Sequence, residues 1–94
     1  MEDARKAIRV NITGRVQGVS FRIWTQTEAE KLGLAGWVRN EDDGSVTALI
    51  VGAGSAVSTM MTRLWKGPIG ASVASVTSQD IDPGQKPDGF RIIG

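Results

Sequence analysis

The apolar residues of this chain change their spacing again and again, and that pattern limits the folds open to it. Ile8, Val10 and Ile12 alternate with Arg9, Asn11 and Thr13, so Ala7 to Thr13 reads as a half-buried strand. From Phe21 to Leu32 the spacing becomes helical. Phe21, Thr25, Ala29 and Leu32 share one face, Trp24 flanks it, and Gln26 and Glu30 lie away from it. Ile23 falls on the outer face, where periodicity gives it no role. Gly33 supplies a stop. Alternation returns over Ala35 to Glu41, with Trp37 and Arg39 on one side and Val38 and Asn40 on the other. Asp43-Gly44 then signals a hairpin, and Ser45 to Val51 is the returning strand. After a break over Gly52 to Ser55, Val57, Met60, Met61 and Leu64 form a second helical stripe, ended by Gly67-Pro68. Ala71 to Asp82 alternates again, except that Val73 and Val76 are out of phase, which predicts a bulge between them. A turn-rich loop, Asp82 to Gly89, leads to a short last strand, Phe90 to Ile93.

The order is β-α-β-β-α-β with a short terminal strand. It predicts an α+β protein of the ferredoxin-like, split-βαβ kind, with two helices on one face of an antiparallel sheet. With 94 residues the chain fits one domain, residues 1–94. In that topology the first and second strands run in the same direction. The loop after the first strand and Asn40 near the end of the second are therefore expected at the same edge of the sheet.

Composition narrows the chemistry. There is no Cys, hence no disulfide, thiolate nucleophile or thiolate metal site, and no His, hence no Ser-His or Cys-His catalysis. The net charge of +1 gives no general basic field for nucleic acid or membrane, so any cationic site must be local. Met1 to Ala7 lacks an apolar core and does not read as a signal peptide; the longest apolar stretch, Ala48 to Ala53, is too short for a membrane span. A cytoplasmic monomer is expected.

The stretch Gly14-Arg15-Val16-Gln17-Gly18-Val19-Ser20-Phe21-Arg22 links a strand to a helix. Its glycines allow a sharp turn, and the helix start presents unpaired amides and a positive dipole end. Together they make an anion cradle in which Arg15, Val16, Gln17, Gly18, Val19, Ser20 and Arg22 are the candidate phosphate-binding residues. Arg22, in the first helical turn, adds a planar fork suited to phosphate. The same residues also fit a plain β-α turn with a surface arginine, and the chemistry alone does not separate the two. Asp42 and Asp43 are more simply turn formers than a metal-binding pair, and Trp24, Trp37 and Trp65 read as core or core-edge aromatics.

That loop, with Gly36-Trp37-Val38-Arg39-Asn40, Asp43-Gly44-Ser45-Val46, Lys66-Gly67-Pro68 and the terminal Gly89-Phe90-Arg91-Ile92, resembles the acylphosphatase family over nearly the whole chain. The resemblance implies hydrolysis of acyl phosphates to a carboxylate and inorganic phosphate, without a cofactor. It also implies a phosphate-binding Arg22 and a water-orienting Asn40. Ser20 departs from the pattern, standing where the family often has glycine or a large aromatic residue.

The missing groups agree with this reaction. A carboxylate leaving group has a conjugate acid of pKa about 4–5, so it needs no protonation. The phosphoryl transition state is loose, and its stabilisation is mostly positional and electrostatic. Two other readings share the element order. One is an RNA-binding module, which would need aromatics on the sheet, and Ala7 to Thr13 and Ser45 to Val51 carry none. The other is a phosphate- or carboxylate-binding domain without catalysis.

Overall fold

The computed structural model describes residues 4–84 and 86–94; Met1 to Asp3, which fall in the segment read above as no signal peptide, lie outside the described residues. The elements in chain order are β1 (Arg5–Arg15), α1 (Phe21–Lys31), β2 (Ala35–Asn40), β3 (Val46–Ala53), α2 (Gly54–Lys66), β4 (Ser72–Ile81) and β5 (Phe90–Ile92). They form one five-stranded sheet in the order β4-β1-β3-β2-β5. The four long strands pair antiparallel, as the element order predicts. β5 adds to β2 in parallel, so the complete sheet is mixed rather than antiparallel throughout. Because β3 runs antiparallel to both β1 and β2, those two strands point the same way.

The alternating residues decide which face is covered. Val10, Ile12, Val38, Val46, Ala48 and Ile50 are fully buried on the helix side of the sheet. They pack in one cluster with Phe21 and Ala29 of α1 and Val57, Met60 and Leu64 of α2. Each large aliphatic side chain buried this way contributes roughly 1.5–3 kcal/mol. The helices also meet through Glu28, whose carboxylate reaches Arg63 at 3.1 Å and Lys31 at 3.2 Å. The stripe of α1 predicted from periodicity is the one that is buried, including Thr25, whose hydroxyl donates to the carbonyl of Phe21 at 2.9 Å. Gln26 is not free on the outer side: its Nε2 donates to the carbonyl of Phe90 and ties α1 to β5.

Most boundaries move by one or two residues from the sequence reading, and those next to glycines matter most. β1 continues through Gly14 and Arg15, which were expected in the loop. Gly14 pairs with Val73 after a register shift at Thr13, which leaves Ala74 as the extra residue of β4. This is the bulge predicted between Val73 and Val76. At Gly14 the φ angle is +118°, and a Cβ would meet the carbonyl oxygen of Ser72 at 2.2 Å, so only glycine lets the two backbones come this close. The expected break at Gly52 to Ser55 is absent, since β3 runs to Ala53 and α2 begins at Gly54. Trp65 is about half exposed and is no core residue. Trp37 lies on the uncovered sheet face, with the guanidinium of Arg39 4.9 Å and that of Arg9 5.9 Å from its ring centre. Among the described residues, no helix is long and apolar enough to cross a membrane.

The Gly14 contact gives a stability test. Gly14→Ala should lower unfolding free energy by at least ~2–3 kcal/mol in urea titration, through overlap and a forced left-handed backbone. Gly18→Ala, with φ +74° but nothing within 4 Å of the added carbon, should cost only about 1 kcal/mol.

Candidate functional site

Five residues, Val16 to Ser20, join the end of β1 to the start of α1. Val16 is buried in the core cluster and anchors the loop from below. Gln17 ties it sideways: its Nε2 donates to the carbonyl of Glu41 at 2.8 Å and to that of Ser45 at 2.9 Å. These carbonyls belong to the hairpin between β2 and β3, so one side chain fixes the loop against the strand that carries Asn40. The sequence reading named Gln17 only as a candidate phosphate-binding residue and did not foresee this cross-link.

Ser20 sits in the left-handed region, with φ 58° and ψ 28°. It is the only such non-glycine residue among the described residues. That conformation costs a residue with a Cβ roughly 1–2 kcal/mol, and it turns the chain directly into α1. The first helical hydrogen bond runs from the Trp24 amide to the Ser20 carbonyl at 3.0 Å. The first-turn amides of Phe21 and Arg22 therefore have no partner within the helix. No backbone hydrogen bond occupies the amides of Gly18, Val19 or Ser20 among the described residues. The first turn has no acidic residue, so the positive end of the helix is not neutralised there.

Arg22 and Asn40 meet in the same cleft, as the shared direction of β1 and β2 predicts. The cleft has a volume of about 450 Å³, and its wall includes Gln17, Gly18, Ser20, Arg22, Asn40 and Ile92. Arg22 is half-buried, and one of its Nη1 hydrogens goes to the backbone oxygen of Gly94. The Asn40 amide donates to the same oxygen at 3.2 Å. No Asp or Glu side chain pairs with Arg22 among the described residues. The side-chain oxygen of Asn40, Oδ1, is buried and accepts no hydrogen bond from any described residue. An unmatched buried acceptor costs about 1–3 kcal/mol.

Of the predicted phosphate-binding residues, Val16, Gln17, Gly18, Ser20 and Arg22 line the cleft. Arg15 and Val19 do not. Arg15 is the last residue of β1, paired with Ser72 and exposed. Val19 turns into a neighbouring apolar groove. Sequence reasoning assigned no site role to Ile92 or Gly94, which reach the site because β5 lies beside β2; the short strand Phe90 to Ile93 was visible but its neighbour was not. A smaller hollow of about 250 Å³ on the uncovered sheet face, lined in part by Arg9, Asn11 and Thr47, shares no residue with the cleft. Among the described residues, no three His, Cys, Asp or Glu side chains converge in a way that could hold a metal ion.

The hairpin that carries these contacts is itself held by carboxylates. Asp43 Oδ1 accepts from the Ser45 hydroxyl at 2.6 Å and the Ser45 amide at 2.9 Å, which confirms its turn role. The hydroxyl of Ser45 in turn accepts from Asn11 Nδ2 at 3.0 Å. The bonds from Ser45 hold the Asp43 carboxyl below its ordinary pKa. Glu41 is lowered by a hydrogen bond from Thr47 first, and then by Arg39, whose Nε lies 2.9 Å away.

Loop amides without backbone partners and a guanidinium gathered at one cleft of a ferredoxin-like fold are the kind of arrangement an oxyanion needs. Comparison with known proteins agrees. Residues 8–92 match the model of the family described as Acylphosphatase. The chain is 62% identical to an acylphosphatase of Rhizobium meliloti, over 98% of this chain and 97% of that one. Among solved structures, an acylphosphatase from Bacillus subtilis superimposes with a TM-score of 0.91 at 34% identity, covering 95% of this chain and 99% of that one. One from Coxiella burnetii does so at 0.90, also at 34% identity, covering 95% and 93%. The chain belongs to the acylphosphatase family, and it is an enzyme of that kind, a hydrolase.

The lowered carboxylates predict an acid dependence. A folded-state pKa below the unfolded one adds stability that is complete above the ordinary carboxylate pKa, about 4, and is lost as pH falls through the lowered values. Thermal melting between about pH 6 and pH 2 should therefore show the midpoint falling below about pH 4. Asp43→Asn should flatten that fall, because it removes one of the groups that must be protonated.

Proposed function

We propose that this single-domain chain hydrolyses the carboxyl–phosphate bond of small acyl phosphates by in-line attack of water. Arg22 and the amides of the loop from Gln17 to Ser20 hold the phosphate oxygens, with Val16 as the buried base of the loop. Val19 contributes through its backbone alone, and Arg15 only through its charge at the end of β1. Asn40 places the water. The observation that carries this reading is that Asn40, whose buried Oδ1 has no partner among the described residues, lines the same cleft as Arg22.

Each role follows from its group. A guanidinium matches two phosphate oxygens at once and keeps its charge at any working pH. One N–H given to Gly94 leaves the rest of the fork for the substrate. Asn40 is no base at neutral pH, but its carbonyl accepts a hydrogen from a water and fixes the direction of the oxygen lone pair. Holding that water in line with the scissile bond removes an entropic part of the barrier. The water oxygen bonds to phosphorus as the bond to the acyl oxygen breaks. The carboxylate leaves with the electron pair, and the water proton passes to a phosphate oxygen. No acid is needed for a leaving group this stable, and no cofactor enters the scheme.

We further propose that the enzyme works as a monomer in the cytoplasm and binds neither nucleic acid nor membrane. Net charge near neutrality, the absence of Cys, and the lack of aromatics on β1 and β3 support this.

Hydrolysis of benzoyl phosphate, followed by ultraviolet absorbance in excess EDTA, tests the mechanism. Arg22→Ala should slow it roughly 10²–10³-fold, corresponding to ~3–4 kcal/mol of transition-state stabilisation, and Arg22→Lys should recover little. Asn40→Ala should abolish turnover while calorimetric titration with inorganic phosphate stays nearly unchanged. Wild-type turnover by Asn40→Ala would remove the water-placing role.

A further inference from the structure

The two halves of the candidate site are each held by contacts of their own. The loop after β1 rests on buried Val16 and ends at Ser20, whose carbonyl takes the first helical bond, from Trp24. The hairpin after Asn40 closes on itself. The Gly44 amide donates to the Glu41 carbonyl at 3.2 Å, and the Glu41 amide donates to the Ser45 carbonyl at 2.8 Å. Asp43 Oδ1 accepts from the amide and the hydroxyl of Ser45. Strand pairing brings the two halves to one edge of the sheet, but none of these contacts sets the distance between them.

Gln17 supplies that distance. Its Nε2 donates to the carbonyls of Glu41, at 2.8 Å, and Ser45, at 2.9 Å, across sequence separations of 24 and 28. Both oxygens already accept a backbone amide of the hairpin. A carbonyl oxygen has two lone pairs, so Gln17 takes the second pair on each, and its removal would leave neither oxygen without a partner. The turn does not need this side chain. The reaction does. The loop amides and Arg22 set where phosphorus lies, and Asn40, the neighbour of Glu41 in the chain, sets where the water lies. In-line attack needs these two in register, and a misplacement of about 1 Å can cost ~10²-fold in rate.

We infer that Gln17 is a positioning residue for the hydrolysis: its side-chain amide fixes the spacing between the phosphate loop and the strand end that carries Asn40. This rests on the acyl-phosphate reading above and adds a residue to its mechanism. The backbone amide of Gln17 belongs to the cradle, whereas its side chain acts on the water only through the hairpin. Each half stands without the link, so breaking it spares the fold and phosphate binding and slows the chemical step. The loss belongs in kcat, and kcat/KM falls with it equally.

The test uses Gln17→Met, which keeps the length and apolar stem of the side chain and removes both donors. Gln17→Ala is the second variant, and it guards against a fault peculiar to the methionine side chain. With benzoyl phosphate, both should show kcat lower by about 10- to 100-fold and KM within about twofold of wild type. Calorimetric titration with inorganic phosphate should give a Kd within about twofold of wild type. A kcat within about twofold of wild type in both variants overturns the inference. A loss of phosphate affinity as large as the loss of kcat overturns it too, because Gln17 would then support the cradle alone. So does failure of both variants to fold, read by urea titration, since the two halves would then not stand without the link. Asn40→Ala, assayed beside them, separates this inference from its parent. If Asn40→Ala keeps turnover, the water-placing role falls. If Asn40→Ala is inactive and the Gln17 variants are unimpaired, only the positioning role falls.

Discussion

Everything at the candidate site depends on β3 running antiparallel between β1 and β2. Two strands that flank a common antiparallel neighbour must point the same way. The end of β1, where the loop and α1 begin, and the end of β2, where Asn40 sits, are therefore brought to one edge. A single hairpin residue more or less would reverse the face of every side chain on β2 and move Asn40 off the helix side. Asp43 and Ser45 hold the turn that prevents this, through side-chain bonds that do not depend on any ligand. Gln17 then adds the cross-link that strand direction cannot supply, fixing the loop to the hairpin by two carbonyls of the same turn region.

The direction of α1 completes the arrangement. Phe21, Thr25 and Ala29 are buried, so the rotation of the helix about its axis is set by packing and not by the site. Residues advance about 100° each around a helix. With Phe21 inward, Arg22 comes to the flank that borders the cleft, and Ile23 turns out to solvent. One helical turn thus carries a core residue, a cationic residue and an apolar surface residue in sequence. The strained Ser20 immediately before it sets where that turn begins.

Much of this is legible in the amino-acid order because it is periodic. The strands, both helical stripes and even the bulge near Ala74 leave a mark in apolar spacing, since each is enforced by burial along one face. What periodicity cannot show is where a regular element stops when the next residue is glycine. Gly14 reads as a loop residue, yet it is part of a ladder whose close backbone approach requires it. Gly54 reads as a break, yet it opens α2. The place of β5 was also illegible. A strand of three residues, Phe90–Ile92, carries too little alternation to reveal a partner. Its position beside β2 is what brings Ile92 and Gly94 to the site. Gln17 was visible as a residue but not as a staple, because a hydrogen bond to a backbone carbonyl places no demand on the residue type at the other end. Arg22 came from the chemistry of the loop and from family resemblance, Asn40 from the resemblance alone, and the topology joins them independently of either.

The arrangement also shows how a domain of this size can leave a polar atom uncompensated. Small domains have a thin stability margin, of the order of several kcal/mol. A buried, unpartnered Asn40 Oδ1 and a left-handed Ser20 together consume a noticeable part of it. Both lie in the same cleft, while the surrounding contacts are of the opposite kind. Val16 is buried, Gln17 makes two good hydrogen bonds, and Asp43 of the hairpin accepts two from Ser45. Strain and unsatisfied polarity thus fall on residues that line the cleft, and the contacts that hold those residues are satisfied. A reaction with a stable leaving group asks little more than that. It needs oriented charge and a placed water, which rigid amides, a guanidinium and an amide side chain can provide without any group that must change its protonation state.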